Sequence, residues 1–187
     1  MRLGPGKRAG SPDVGIPSLD ELGLAMLKKW LWLSVLVIVL DQATKFLAET
    51  FLAMHEPVPV LPSFNLMLTY NTGAAFSFLA HAGGWQRWFF LSLGTAVSIG
   101  LIVWLQRLKP GEKWLAAALA LILGGAVGNL IDRAWIGQVI DFIQIYYDRW
   151  YWPAFNIADS AITIGAVLLV LESLWSRNAS SLKDPPA

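Results

Sequence analysis

WFFLSLGTAVSIGLIVWL (residues 88–105) and WLAAALALILGGAVGNLI (residues 114–131) decide the class of this chain. Each stretch has 18 residues and no charge. A helix of that length rises ~27 Å, about the thickness of the hydrocarbon layer of a bilayer. Two further stretches are apolar but interrupted. Residues 30–40 lead into Asp41, Gln42 and Lys45, and residues 155–171 carry Asn156 and Asp159 near their start. The pattern predicts four transmembrane helices, at about 28–48, 86–106, 114–134 and 156–175. A cleaved signal peptide is the competing reading of the first. Asp41 and Lys45 break its apolar run, and no small-residue cleavage site follows directly.

Composition agrees. Of 187 residues 56% are hydrophobic and 14% are charged, well below the usual quarter. One soluble core of this size could not hide so much apolar surface. The absence of cysteine excludes a disulfide scaffold and thiol chemistry. A formal net charge of +1 argues against a nucleic-acid partner. The ten tryptophans all fall near predicted span ends, where an indole is partly dry and its N–H meets water.

Ten of the 14 lysines and arginines lie in the N-terminal segment, the 106–114 connection and the C-terminal tail. The positive-inside rule therefore puts both termini in the cytoplasm and turns the connections 49–85 and 135–155 outward. Residues 1–25 and 177–187 read as flexible cytoplasmic extensions flanking one membrane domain, 26–176. Within the first outer connection, residues 58–70 alternate Phe64, Leu66 and Leu68 with Asn65, Met67 and Thr69, which predicts one or two short strands. Asn71 and Gly73 then form a turn.

Ionisable groups at membrane depth are costly and mark function by default. Asp41, Asp132 and Asp159 lie in or at the outer ends of spans, and Asp141 lies in the second outer connection. Asp41 and Lys45 are spaced i, i+4 and share a helix face. Asn129 and Arg133 have the same spacing, with Asp132 beside them. Both sets contain an internal partner and read first as networks that fix helix register. Asp141 and Asp159 have no basic residue within four positions. Two carboxyls held close in a partly dry site share one proton, and such a pair can activate water against a carbonyl and protonate a leaving amine. Asn156, one turn before Asp159, is placed to orient it.

Other chemistries have little support. His55 and His81 read as solvated loop residues, and there is no H-E-x-x-H zinc motif. Ser77 and Ser160 lack a base, and no metal site or cofactor motif appears. Phe76, Phe78, Tyr146, Tyr147, Trp150, Tyr151 and Trp152 read as interfacial anchors before groove-lining residues.

Five ordered blocks, DQATK (41–45), NTGAAFS (71–77), GGAVGNLIDR (124–133), VIDF (139–142) and FNIADSAI (155–162), make residues 26–175 resemble the lipoprotein signal peptidase (signal peptidase II) family. The resemblance implies an aspartyl endopeptidase of the bacterial cytoplasmic membrane. It would remove the signal peptide of diacylglyceryl-modified prolipoproteins just before the lipidated cysteine. The family's catalytic aspartates fall on Asp141 and Asp159. Its other functional positions fall on Asp41, Lys45, Asn71, Gly73, Asn129, Asp132, Arg133 and Asn156. The resemblance further implies a small extracytoplasmic β-sheet, no cofactor, contact with membrane lipid, and inhibition by globomycin-like cyclic peptides. One chain holds the whole set, so a monomer is expected. A small transporter or proton relay is the main alternative, and a non-catalytic scaffold the second.

Overall fold

The computed structural model describes residues 19–73 and 83–181. Phe76, Ser77, Phe78 and His81 lie outside the described residues. Four helices are long and apolar enough to cross a membrane: α1 (Leu19–Phe51), α2 (Gln86–Gln106), α3 (Lys113–Trp135) and α4 (Ile157–Ser181). α3 is the centre. Half of its most apolar stretch is buried, against 17% in each of the other three helices. The outer helices instead expose large apolar side chains, among them Val35, Val39, Phe46, Val97, Val167 and Leu171. A water-soluble monomer would not tolerate so continuous an apolar exterior; lipid does.

Small residues set the approach of the helices to α3. A Cβ on Gly124 would stand 2.8 Å from the Ser34 carbonyl oxygen of α1, and one on Gly128 would stand 2.6 Å from Asp41 Oδ2. Gly125, on the next face, meets the Ala158 carbonyl of α4 even more closely. The Ser34 hydroxyl adds an interhelical bond, donating to the Ala120 carbonyl at 2.8 Å. Close backbone approach through such positions is how helices associate in lipid, where apolar burial supplies no drive.

Two helix ends differ from expectation. α1 begins at Leu19 rather than near residue 28, and α4 runs to Ser181 rather than residue 175, so 19–25 and 177–181 are helical. Met26 and Leu27 pack on the Leu101, Leu105 and Leu119 cluster, which extends α1 past the apolar span. Trp30 and Trp32 consequently lie inside α1, not at its start.

The connections between α1 and α2 and between α3 and α4 form a four-stranded antiparallel sheet in sequential order: β1 (Val58–Leu61), β2 (Phe64–Asn71), β3 (Val139–Tyr147) and β4 (Trp150–Tyr151). The strands expected over 58–70 are β1 and most of β2. Their simple alternation does not hold. Leu66 faces Ile143 and Thr69 faces Asp141, so β2 carries one extra residue in a bulge. The bulge puts Asn65 and Leu68 in the buried positions, with Asn65 donating to Gln144 Oε1 at 3.0 Å. β3 and β4 were unforeseen in the connection 135–155. β3 is buried on both faces over residues 139–142, so its sequence shows an unbroken apolar run rather than alternation. Ala48, Leu68, Ile140 and Phe142 form the core between sheet and bundle.

The packing at α3 makes a paired prediction. Gly125→Val forces a branched side chain into the Ala158 backbone, which cannot swing aside, and should cost about 1–3 kcal/mol. Gly100 has no atom within 4 Å of an added Cβ. Gly100→Ala should be neutral or stabilising by up to about 1 kcal/mol. Thermal unfolding in detergent, followed by tryptophan fluorescence, tests both; equal Tm values for the two variants would contradict this packing.

Candidate active site

Lys45 lies at the centre of a buried polar cluster. It is 1% exposed, and Asp41 and Asp132 are 0% and 3% exposed at their side chains. Its ammonium lies 2.7 Å from Asp41 Oδ2 and 2.7 Å from Asp132 Oδ2, and donates to Asn129 Oδ1 at 3.0 Å. Three N–H donors thus meet three acceptors. The sequence foresaw the pairing with Asp41. The bond to Asp132 is not evident there, because Asp132 reads as one set with Asn129 and Arg133 on its own helix. Successive residues of a helix diverge by ~100°, so Asp132 turns inward to Lys45 while Arg133 takes other partners.

The two carboxylates of this cluster hold backbone of the segments that follow. Asp41 Oδ1 accepts the Ala158 N–H at 2.9 Å, in the first turn of α4. Asp132 Oδ2 accepts the Ile140 N–H at 3.2 Å, beside the start of β3. Asp159 is one residue beyond Ala158, and Asp141 one residue beyond Ile140. The ion cluster therefore fixes the backbone immediately before each of the two remaining aspartates.

Asn156 joins those aspartates. Its Nδ2 donates to Asp141 Oδ1 at 2.7 Å, with the Ile140 carbonyl and Asn129 Oδ1 each at 3.1 Å. Its Oδ1 accepts the Asp159 N–H at 2.8 Å, while Asp159 Oδ2 accepts the Asn156 N–H at 3.3 Å. This is a reciprocal capping box at the start of α4, with Asp in the place more often held by Glu. Asn129 Nδ2 donates to Asp159 Oδ1 at 2.8 Å, and Asn71 Nδ2 donates to Asp141 Oδ2 at 3.2 Å. Each carboxyl oxygen of both aspartates thus accepts one hydrogen bond.

The turn after β2 closes the network. The Gly73 N–H donates to Asn71 Oδ1 at 2.9 Å, and Arg133 Nη2 donates to the Gly73 carbonyl at 2.7 Å. The Arg133 guanidinium also lies 5.0 Å from the centre of the Phe90 ring on α2, a cation–π distance. All ten site residues named from the sequence therefore fall in one linked network. Gln42 joins it unforeseen, its Nε2 donating to Asp132 Oδ1 at 2.9 Å and lying 3.2 Å from both Asp41 Oδ2 and the Gly128 carbonyl. Its only sequence signal was an amide beside Asp41 in an apolar span.

Asp141 and Asp159 line one cavity of ≈ 1390 Å³, together with Asn71, Asn129 and Arg133. Tyr151 and Trp152 also line it. Those two aromatics differ from the anchoring expectation, because the antiparallel turn into β4 folds them back over the site. Trp150 and Tyr147 are over 80% exposed and fit that expectation. His55 is exposed, and the Ser160 hydroxyl donates to the Asn156 carbonyl at 2.9 Å. The Asp141 carboxyl is pushed up to about 7, first by burial and then by the negative charge of Asp159. The bonds from Asn71 and Asn156 oppose that rise without cancelling it.

The sequence model of the signal peptidase (SPase) II family matches residues 33–175. The lipoprotein signal peptidase of Pseudomonas aeruginosa is 53% identical over 166 residues, covering 88% of this chain and 96% of the relative. That of Pseudomonas fluorescens is 59% identical over 150 residues, covering 79% and 88%. A solved bacterial membrane enzyme, obtained by the in meso method at 2.3 Å resolution, superposes with a TM-score of 0.73 at 30% identity over 86% of this chain and 94% of its own. Four apolar helices, the five sequence blocks and these matches lead to one assignment: this multi-pass membrane protein belongs to the signal peptidase II family.

Proposed function

We propose that this chain is an aspartyl endopeptidase that cuts the signal peptide from diacylglyceryl-modified prolipoproteins, just before the lipidated cysteine, with Asp141 and Asp159 as the catalytic pair. The observation that carries the reading is the shared Asn156, whose side chain binds one carboxylate and whose backbone binds the other, on the wall of a single cavity.

The chemistry follows from one proton between two carboxyls. Asp141 carries it at the start, and Asp159 takes a proton from the attacking water. The water oxygen bonds to the scissile carbonyl carbon as the Asp141 proton moves to the carbonyl oxygen, giving a neutral gem-diol. Asp159 then protonates the amide nitrogen, the C–N bond breaks, and Asp141 recovers a proton from the gem-diol hydroxyl. Both groups end as they began, and no cofactor takes part. The cavity also reaches Ile162 and Ile164 on α4, of which Ile164 is more than half exposed on the apolar exterior. A lipid-modified substrate can therefore enter from the bilayer. Asn71 is placed to bind its backbone, and Arg133 to hold the turn at Gly73. A single chain supplies every group, in keeping with a monomer. Both termini lie in the cytoplasm and the site near the extracytoplasmic face, a reading that the lysine and arginine distribution supports. Globomycin-like peptides would compete for the same cavity.

Three outcomes test this. Asp141→Asn and Asp159→Asn should each lower cleavage of a diacylated prolipoprotein in proteoliposomes by about a thousandfold or more, with the helical signal and Tm kept near wild type. Normal processing by both single variants would defeat the pair. Lys45→Met should behave differently. It leaves Asp41 and Asp132 buried without their cation, and should cost about 3–5 kcal/mol of stability. A scaffold with no catalytic pair would show the stability loss in all three variants and activity in none. For pH, Asp141 must hold its proton, so kcat/KM should fall as pH rises through about 7. The Asn71 bond favours the ionised form, so Asn71→Ala should raise the Asp141 pKa and move this alkaline limb to higher pH. A limb that stays in place or moves lower would contradict the assignment.

A further inference from the structure

α2 and α4 both pack against α3. Side chains of all three helices also line a second groove of ≈ 480 Å³, at the end of the bundle away from the aspartates. Its apolar walls include Trp104, Leu115, Val170 and Leu174, and two glutamates, Glu112 and Glu172, complete it. The groove and the catalytic cavity lie along the same seam. At ~100° per residue, Leu115, Ile122 and Asn129 share one face of α3, and Asp159, Thr163 and Val170 share one face of α4. Asn129, Asp159 and Thr163 line the outer cavity, and Leu115 and Val170 line the inner groove.

The length of the seam matches a particular ligand. Glu172 follows Asp159 by about 13 residues, or ~20 Å of helix. A signal peptide has an apolar segment of about 7–15 residues preceded by a basic n-region. As a helix, the form that satisfies its backbone in lipid, that segment spans ~10–22 Å. With the scissile bond at the aspartates, the basic residues then arrive at the two glutamates. Arg107, Lys109 and Lys113 lie in or beside the same connection but do not line the groove, so its charge comes from the two glutamates. The Glu112 carboxylate is pinned there by the Lys109 N–H, at 2.5 Å.

We propose that the groove between the inner ends of α2, α3 and α4 is a subsite for the basic n-region of the signal peptide, with Glu112 and Glu172 meeting its lysines or arginines. The subsite rests on the peptidase reading above. It makes the seam a ruler that selects substrates by the distance between their charge and their cleavage site.

The test uses two diacylated prolipoprotein substrates in proteoliposomes, one with lysines in the n-region and one with glutamines in their place. The readout is the ratio of their KM values. Glu112→Gln keeps the acceptor for Lys109, and Glu172→Gln keeps the side-chain shape. Each should raise KM for the lysine substrate about two- to fivefold relative to the glutamine substrate. Glu172→Lys should reverse the preference and favour an n-region bearing glutamates. An unaltered ratio in all three variants, while wild type cuts both substrates, overturns the subsite alone. Parallel changes for both substrates also overturn it, since they report general damage. A wild-type protein that cuts neither substrate removes the peptidase reading and the subsite together.

Discussion

One ammonium between two carboxylates, sealed from water and lipid, is the constraint on which the rest of this structure depends. Burying three charges in a low-dielectric bundle is unfavourable unless each finds its partners. Lys45 achieves this with three acceptors supplied by two helices. The second carboxyl oxygen of Asp41 is satisfied by the start of α4, and the Lys45-bound oxygen of Asp132 also takes the Ile140 N–H at the start of β3. A movement of α1, α3, β3 or α4 would strand a buried charge or a buried N–H. The cluster therefore ties all four elements to one depth, and its cost is offset only when all four are in place. That is the kind of all-or-none specification that buried ionic groups provide more reliably than net stability.

Asn156 passes this rigidity to Asp141 and Asp159. Its Nδ2 has two hydrogens and three acceptors within 3.1 Å, so the acceptors compete. The shortest distance, 2.7 Å, is to the carboxyl oxygen of Asp141, and the other two acceptors are amide carbonyls. The two neutral carbonyls share the other hydrogen and keep the amide plane fixed. The orientation of one aspartate is thus set by a residue whose side-chain oxygen caps the helix that bears the other. Precision of this sort matters because a proton moves efficiently only between groups already at hydrogen-bond distance of the reacting atoms.

The spans and the acids beside them were legible in the sequence because both are written locally, whereas Asn71 and Gly73 entered as site positions only through the family resemblance. An uncharged run of 18 residues needs no tertiary context to be read as a span, and an aspartate at the end of an apolar run is conspicuous. What stayed hidden was written non-locally. Asp132 reads in the sequence as one set with Asn129 and Arg133 on its own helix, although its cation, Lys45, lies on α1. Gln42 joins the network mainly through acceptors on α3, Asp132 Oδ1 and the Gly128 carbonyl. β3 was unreadable as a strand because both of its faces are covered, which erases the period of two. The bulge in β2 broke an alternation that the sequence does show, since register depends on the partner strand.

Asp159 carries two duties, and their geometry shows how they coexist. A helix whose first turn is buried needs its free N–H groups satisfied, and a carboxylate at the third position normally does this by reaching back to the cap residue. Here the backward bond from Oδ2 is long, 3.3 Å, while the forward bond from the Asp159 N–H to Asn156 Oδ1 is 2.8 Å. The cap is therefore held mainly by the asparagine, with Asp41 taking the neighbouring Ala158 N–H at 2.9 Å. Asp159 is left with a weakly engaged oxygen that can turn to a water molecule without unwinding α4. By transferring capping to Asn156 and Asp41, the fold separates the stability of the helix start from the chemistry of the carboxylate it carries.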